Sequence, residues 1–143
     1  MLRMYGHPRA AALAGIARFY SRFVFRQIAR RVASEVADYV DEGFTVVGII
    51  GVDGSPSCGV ATTVNLAGSL RDIADTNPQE VTIDEQNALV RRYLEPGAGS
   101  FIEQLQRQLI RRSVVVPFFA HDLMGELDGR SSELQARSCI SVE

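Results

Sequence analysis

The sequence contains no lysine; all fifteen of its basic residues are arginine. That excludes a Schiff-base lysine and the lysine of a phosphate-binding P-loop. Tryptophan is absent as well. Cysteine is scarce: Cys58 and Cys139 are the two present. Two do not make a disulfide framework, and no secretory signal is visible. Long hydrophobic runs are missing too. The apolar segment from Ala10 to Ile16 is interrupted by Gly15 and followed by Arg18, Arg22 and Arg26. It is too short and too charged to span a bilayer. These absences predict a cytoplasmic protein with reduced thiols and no membrane partner. Net charge is −2, which argues against a nucleic-acid partner.

What the chain does have is enough apolar content for a core. A length of 143 residues with 46% hydrophobic composition predicts one domain, residues 1–143, and not a disordered chain. Met1 to Arg9 reads as a loop with Gly6 and Pro8 as breakers. From about Ala10 to Glu42 the spacing predicts a helix. Its apolar face would be Ile16, Phe19, Phe23, Ile28, Val32, Val36 and Val40, with Gly43 as C-cap. On the same helix Arg18, Arg22, Arg26 and Arg30 recur at every fourth residue. Such a row is either a solvated face, partly neutralised by Glu35 and Asp38, or an anion-binding flank. Charge runs usually face water, which favours the first.

Phe44 to Val52 is a nearly continuous apolar, β-branched run. It predicts a strand buried on both faces, as in a parallel sheet, and Gly48 and Gly51 suggest close backbone approach. Cys58 to Pro78 is small and polar, an irregular excursion with a short helix near Leu70 to Asp75. Long irregular loops of this kind often serve as lids. Val81 to Asp84 reads as a short strand or as the start of a helix. Asp84 would cap a helix over Glu85 to Leu94, ended by Pro96-Gly97. Ser100 with Glu103 three residues later forms a capping-box pattern, and Gly99 or Ser100 would cap a helix over Phe101 to Arg112. Its stripe is Phe101, Ile102, Leu105, Leu109 and Ile110. Val114 to Phe119 is a second strand, placed at an edge or ended early by Pro117. Ser131 to Arg137 reads as a short helix. Helices alternating with strands predict an α/β fold.

In open parallel α/β sheets, sites form beyond the carboxyl ends of strands. Cys58 follows the first strand and His121-Asp122 follows the second. If the two strands run parallel in one sheet, these residues emerge at one edge. Cys58 then has three readings: a small buried hydrophobe, a nucleophile with His121 as its base, or a metal or cluster ligand, which requires companions. From the residues alone they rank in that order. Gly54 and Gly59 allow unusual backbone angles, and a nest of N–H groups there would suit an anion or sulfide. Ser55 and Ser57 are candidate donors to a substrate. His7 and Cys139 read as a loop histidine and a tail thiol.

The stretch Gly48-Ile49-Ile50-Gly51-Val52-Asp53-Gly54-Ser55-Pro56-Ser57-Cys58-Gly59-Val60 resembles the signature loop of the 2-thiouracil desulfurase-related family. Tyr5 to Arg9, Val36 to Val40, Gly43-Phe44, Phe101 to Leu105, Val116 to Phe118 and Asp122 resemble flanking parts of the same family, so most of the chain is covered. The resemblance implies a three-layer, Rossmann-like α/β domain with a mainly parallel sheet, here without the family's N-terminal strand. It implies removal of sulfur from a thiolated, thiouracil-like heterocycle through a [4Fe–4S] cluster held by three cysteines. Cys58 maps onto one of those ligands, cradled by Gly54 and Gly59. The other two, and the family's Cys-Pro-Glu motif, have no counterpart here. Asp53, Ser55 and Ser57 would shape the pocket, and His121 or Asp122 would handle protons. A sheet lacking its first strand would expose an edge, and a homodimer or poor solubility is expected. Two alternatives stand beside this: a non-catalytic small-molecule or anion-binding module built on the glycine loop, and a Cys58/His121 nucleophilic enzyme.

Overall fold

The computed structural model of the chain describes residues 8–66, 68–69, 82–130 and 134–137; for residues 8–19, 86, 89, 127 and 135–137 it describes the backbone alone. The readings of His7, Cys139, the side chains of Ile16 and Phe19, and the short helix near Leu70 to Asp75 lie outside what is described. Helix α1 spans Pro8–Asp41. It ends where the sequence places its cap. Gly43 takes a left-handed φ of 87°, which favours glycine because it has no Cβ. The amide of Gly43 bonds to the Val40 carbonyl at 3.0 Å and that of Phe44 to the Tyr39 carbonyl at 2.9 Å. This is a Schellman closure, and the Tyr39 and Phe44 rings meet edge to face across it at 5.9 Å.

Strand β1 is Ile49–Val52 and β4 is Phe118–His121; they pair in parallel, Ile49 opposite Phe118 and Val52 opposite His121. Strand β5, Gln135–Arg137, pairs antiparallel with β4, giving the order β1-β4-β5. A separate two-stranded ribbon joins β2, Thr62–Val64, to β3, Leu94–Pro96. Helix α2 spans Ile83–Arg92, α3 Ser100–Ile110 and α4 Leu123–Leu127. The architecture is mixed α/β around a small sheet with one parallel pairing. Among the described residues no helix is long and apolar enough to cross a membrane.

The core joins α1, α3 and the β1–β4 pair. Ala29 and Ala33 of α1, Ile102, Leu105 and Leu109 of α3, Phe118 and Ala120 of β4, and Val60 form its buried cluster. Burying a side chain such as Ile102 or Leu105 contributes about 1.5–3 kcal/mol. The buried face of α1 departs from the expected stripe. Val32 and Val36 pack against the core, but Phe23, Ile28 and Val40 are exposed. The fully buried positions of α1 in this cluster are the alanines Ala29 and Ala33, where α1 packs against α3.

Several boundaries differ from expectation. The first strand begins at Ile49 and not Phe44, and it is not buried on both faces: Val47 and Ile50 are exposed. The second strand starts at Phe118, directly after Pro117. It is the central strand and not an edge strand, because Pro117 lies outside the ladder and costs it no bond. Residues 135–137, expected as helix, are strand β5. The helix after residue 82 is capped by Thr82, not Asp84. Thr82 Oγ1 accepts from the Glu85 amide at 3.3 Å while the Glu85 carboxylate accepts from the Thr82 amide at 2.8 Å. The second bond holds the Glu85 carboxyl below the usual range. Thr82→Ala is expected to cost about 1 kcal/mol of stability. A shift in the urea midpoint measures it, and an unchanged midpoint would show that the box contributes nothing.

Candidate functional site

Strand β1 hands the chain to the loop of residues 53–61, and β4 delivers His121 beside it. The parallel register holds the two together: the Asp53 amide donates to the His121 carbonyl at 2.9 Å. The expected common edge for Cys58, His121 and Asp122 is therefore present in the fold.

The loop is closed by its own hydrogen bonds. Asp53 Oδ1 accepts from the amides of Val60, Ala61 and Thr62 at 3.1, 2.9 and 3.3 Å. Ser55 Oγ accepts from the amides of Cys58 and Ser57 at 3.1 and 3.4 Å. The Gly59 amide donates to the Ser55 carbonyl, the Ser55 amide to the Val52 carbonyl, and the Gly54 amide to the Thr62 carbonyl. Every backbone N–H from Asp53 to Thr62 thus has a partner inside the protein (Pro56 has none to offer). A nest of outward N–H groups for an anion or sulfide, expected from the glycines, is not what the loop forms. Gly54 does take the expected left-handed φ, at 79°. Gly59 is buried and needed for space: a Cβ there would strike the carbonyls of Thr62 and Ser55.

The loop is clamped from the other side by α3. The amides of Gly99, Ser100 and Phe101 donate to the carbonyls of Gly59, Pro56 and Ser57 at 2.9, 3.0 and 3.0 Å. Ser100 Oγ also donates to the Pro56 carbonyl, at 3.2 Å. A helix start leaves its first amides without intrahelical partners, and here the loop carbonyls take that role. Of the two expected caps, Gly99 is the N-cap; it has no side-chain cap bond, and the Ser100–Glu103 capping box is not formed. The clamp went unseen in the sequence because it joins residues forty or more positions apart.

Cys58 is half-buried with a free thiol, and its Sγ lies 3.4 Å from Ser57 Oγ, which in turn lies 3.3 Å from Ser55 Oγ. The two serines therefore have different tasks. Ser55 organises the backbone, and Ser57 is the hydroxyl beside sulfur. His121 Nε2 lies 3.4 Å from the Glu126 carboxylate, a partner that sequence reasoning missed because α4 was not foreseen. Asp122 is the N-cap of α4: its Oδ1 accepts from the Gly125 amide at 2.8 Å, and its Oδ2 lies 3.8 Å from the Arg130 guanidinium. Its carboxylate builds the turn after β4. Arg130 also bonds Asp128, which Arg91 engages with both guanidinium nitrogens. The Arg91 hydrogen bond holds the Asp128 carboxyl below its usual range. Any stability from that pair is present above the ordinary carboxylate range and is lost as pH falls through the lowered value.

A [4Fe–4S] cluster is normally held by several thiolates. Cys58 is the one cysteine among the described residues, and no group of three or more His, Cys, Asp and Glu side chains capable of holding a metal occurs among them. The described residues do not by themselves fit such a cluster; they offer one ligand. The chain matches no protein-family model, no curated protein and no solved structure.

Proposed function

We propose that this chain is a desulfurase-type α/β domain of three-layer, Rossmann-like plan, acting in the removal of sulfur from a thiolated heterocycle. Cys58 is the residue it contributes to that chemistry, as one ligand of an iron–sulfur site whose other ligands lie beyond the described residues or on another chain. The observation that carries the reading is the setting of Cys58. A reactive or metal-binding thiol needs a fixed position and a route to solvent. Here the backbone around the thiol is bonded at every amide and clamped by α3, while the residue itself remains half-buried. No reaction step through a cluster is assigned. What these residues supply is position: Asp53 and Ser55 hold the loop, Ser57 sits against the sulfur, and His121 stands at the adjoining strand end.

Anaerobic reconstitution with ferrous iron and sulfide tests the reading. Any iron taken up, with its broad visible charge-transfer absorption, is expected to depend on Cys58, so that Cys58→Ser takes up less than wild type. A Cys58→Ser variant that reconstitutes as well as wild type removes Cys58 as a ligand. Wild-type protein that takes up no iron removes the iron–sulfur site from this chain. Rapid alkylation of Cys58 at neutral pH that is lost in His121→Ala would instead favour a nucleophilic cysteine.

A further inference from the structure

The arginine row of α1 is not absorbed by the thiol loop. Two of its members, Arg22 and Arg26, line a cleft of about 400 Å³ between α1 and α3. Arg107 and Arg111 of the α3 end face them across it. Among the described residues one carboxylate pairs with any of the four guanidinium groups: Glu103, 3.8 Å from Arg107 along the helix. Arg22, Arg26 and Arg111 have no ion-pair partner among the described residues. Arg107 and Arg111 have a local reason to be there, since cations are favoured at a helix C-terminus. Arg22 and Arg26 stand in the middle of a 34-residue helix, where no such term acts. Bringing them over two further arginines opposes their mutual repulsion. A cleft lined by one sign of charge concentrates counter-ions of the other sign, so the arrangement calls for an anion.

The remaining lining says which anion. Guanidinium forks suit phosphate oxygens, two donors at a time. Four of them exceed what a single phosphate requires. Gln104 adds an amide to the cleft, and the Phe23 ring, 53% exposed, offers a flat apolar face of the kind on which a nucleobase stacks. The volume falls in the range of small-molecule sites, roughly 300–1,000 Å³. The chain's net charge of −2 makes a general nucleic-acid surface the poorer match.

We propose that the cleft between α1 and α3 binds a small polyphosphate anion through Arg22, Arg26, Arg107 and Arg111. The source is either an inorganic polyphosphate or a nucleoside polyphosphate. Calorimetric titration of the full chain with tripolyphosphate and, separately, with ATP, at about 0.15 M salt, tests it. Saturable one-to-one binding is expected. Arg26→Gln and Arg107→Gln should each weaken it about tenfold, as losing a charge-assisted bond does. Arg31→Gln, elsewhere on α1 and outside the cleft, should leave it unchanged. Circular dichroism of each variant verifies the fold. ATP binding more tightly than tripolyphosphate, with the difference lost in Phe23→Ala, identifies the nucleotide source; equal affinities identify the inorganic one. Absence of saturable binding overturns the proposal, as does an equal loss in Arg26→Gln and Arg31→Gln. A single-stranded RNA oligomer bound far more tightly than either probe would overturn it in favour of a nucleic-acid surface. Iron uptake by Cys58 is read separately and does not bear on any of these outcomes.

Discussion

Gly99→Ala is expected to destabilise the protein by about 3 kcal/mol or more, although alanine is the smallest possible addition. Gly99 has an ordinary φ of −67°, so the requirement is space and not backbone conformation. A Cβ at this position would fall on the carbonyl group of Ser57 and 2.8 Å from the Cys58 nitrogen. These are backbone atoms of a loop that is already bonded on its far side by Asp53 and Ser55. The loop has no slack, so the start of α3 must lift. Lifting it breaks the bonds from the Gly99, Ser100 and Phe101 amides to the loop carbonyls and shifts Ile102, which is 2% exposed in the core. Gly43→Ala is the comparison. There the added methyl meets open space, and the cost is that of a left-handed φ alone, about 1–2 kcal/mol. Urea unfolding of both variants decides the matter. If Gly99→Ala costs no more than Gly43→Ala, the start of α3 does not clamp the thiol loop.

The same contact shows what the residues made legible and what they did not. The two strands and their parallel relation could be read, because β-branched runs followed by Gly, Ser and a His-Asp pair have the form of strand ends in an α/β sheet. Their lengths could not. The run Phe44–Val52 looks uniform, but its partner's ladder begins only after Pro117, so pairing starts at Ile49 opposite Phe118. The Pro117 carbonyl accepts the Ile49 amide at 2.9 Å, which trims both strands at one level. On α1 the large residues drew attention, while Ala29 and Ala33 are the fully buried ones and carry little signal in a hydrophobic periodicity. The Ser100–Glu103 spacing was correct for a capping box, yet a distant loop supplied the acceptors first. Within the site, the loop's position beside His121 followed from topology. The task of Asp53 did not, since one carboxylate serving three amides seven to nine residues away leaves no spacing motif.

Asp53 carries the second large expected effect. Its Oδ1 is the common acceptor for the amides that turn the chain from the thiol loop into β2, and the residues on that turn, Val60 among them, are buried or half-buried. Asp53→Ala leaves those donors without a partner in a place water reaches poorly. Leaving a buried donor unpaired costs about 1–3 kcal/mol, so a loss of about 3 kcal/mol is expected. Asp53→Asn keeps an oxygen in position and gives up the charge assistance; about 1–2 kcal/mol is expected. Stability alone would not separate a loop-holding residue from one that acts on substrate. Thiol reactivity does. In a Cys139→Ser background, Cys58 is the only thiol, and its alkylation rate under native conditions reports how firmly the loop is held. Asp53→Ala is expected to raise that rate several-fold and Asp53→Asn by less, in the same order as their stabilities. If both variants unfold at the wild-type urea midpoint and Cys58 reacts at the wild-type rate, Asp53 does not hold the loop. It then returns as a candidate for direct contact with substrate. If the rate rises as expected, Asp53 is a positioning residue, and Ser57 and His121 remain the polar side chains at the loop edge to test against the Cys58 chemistry.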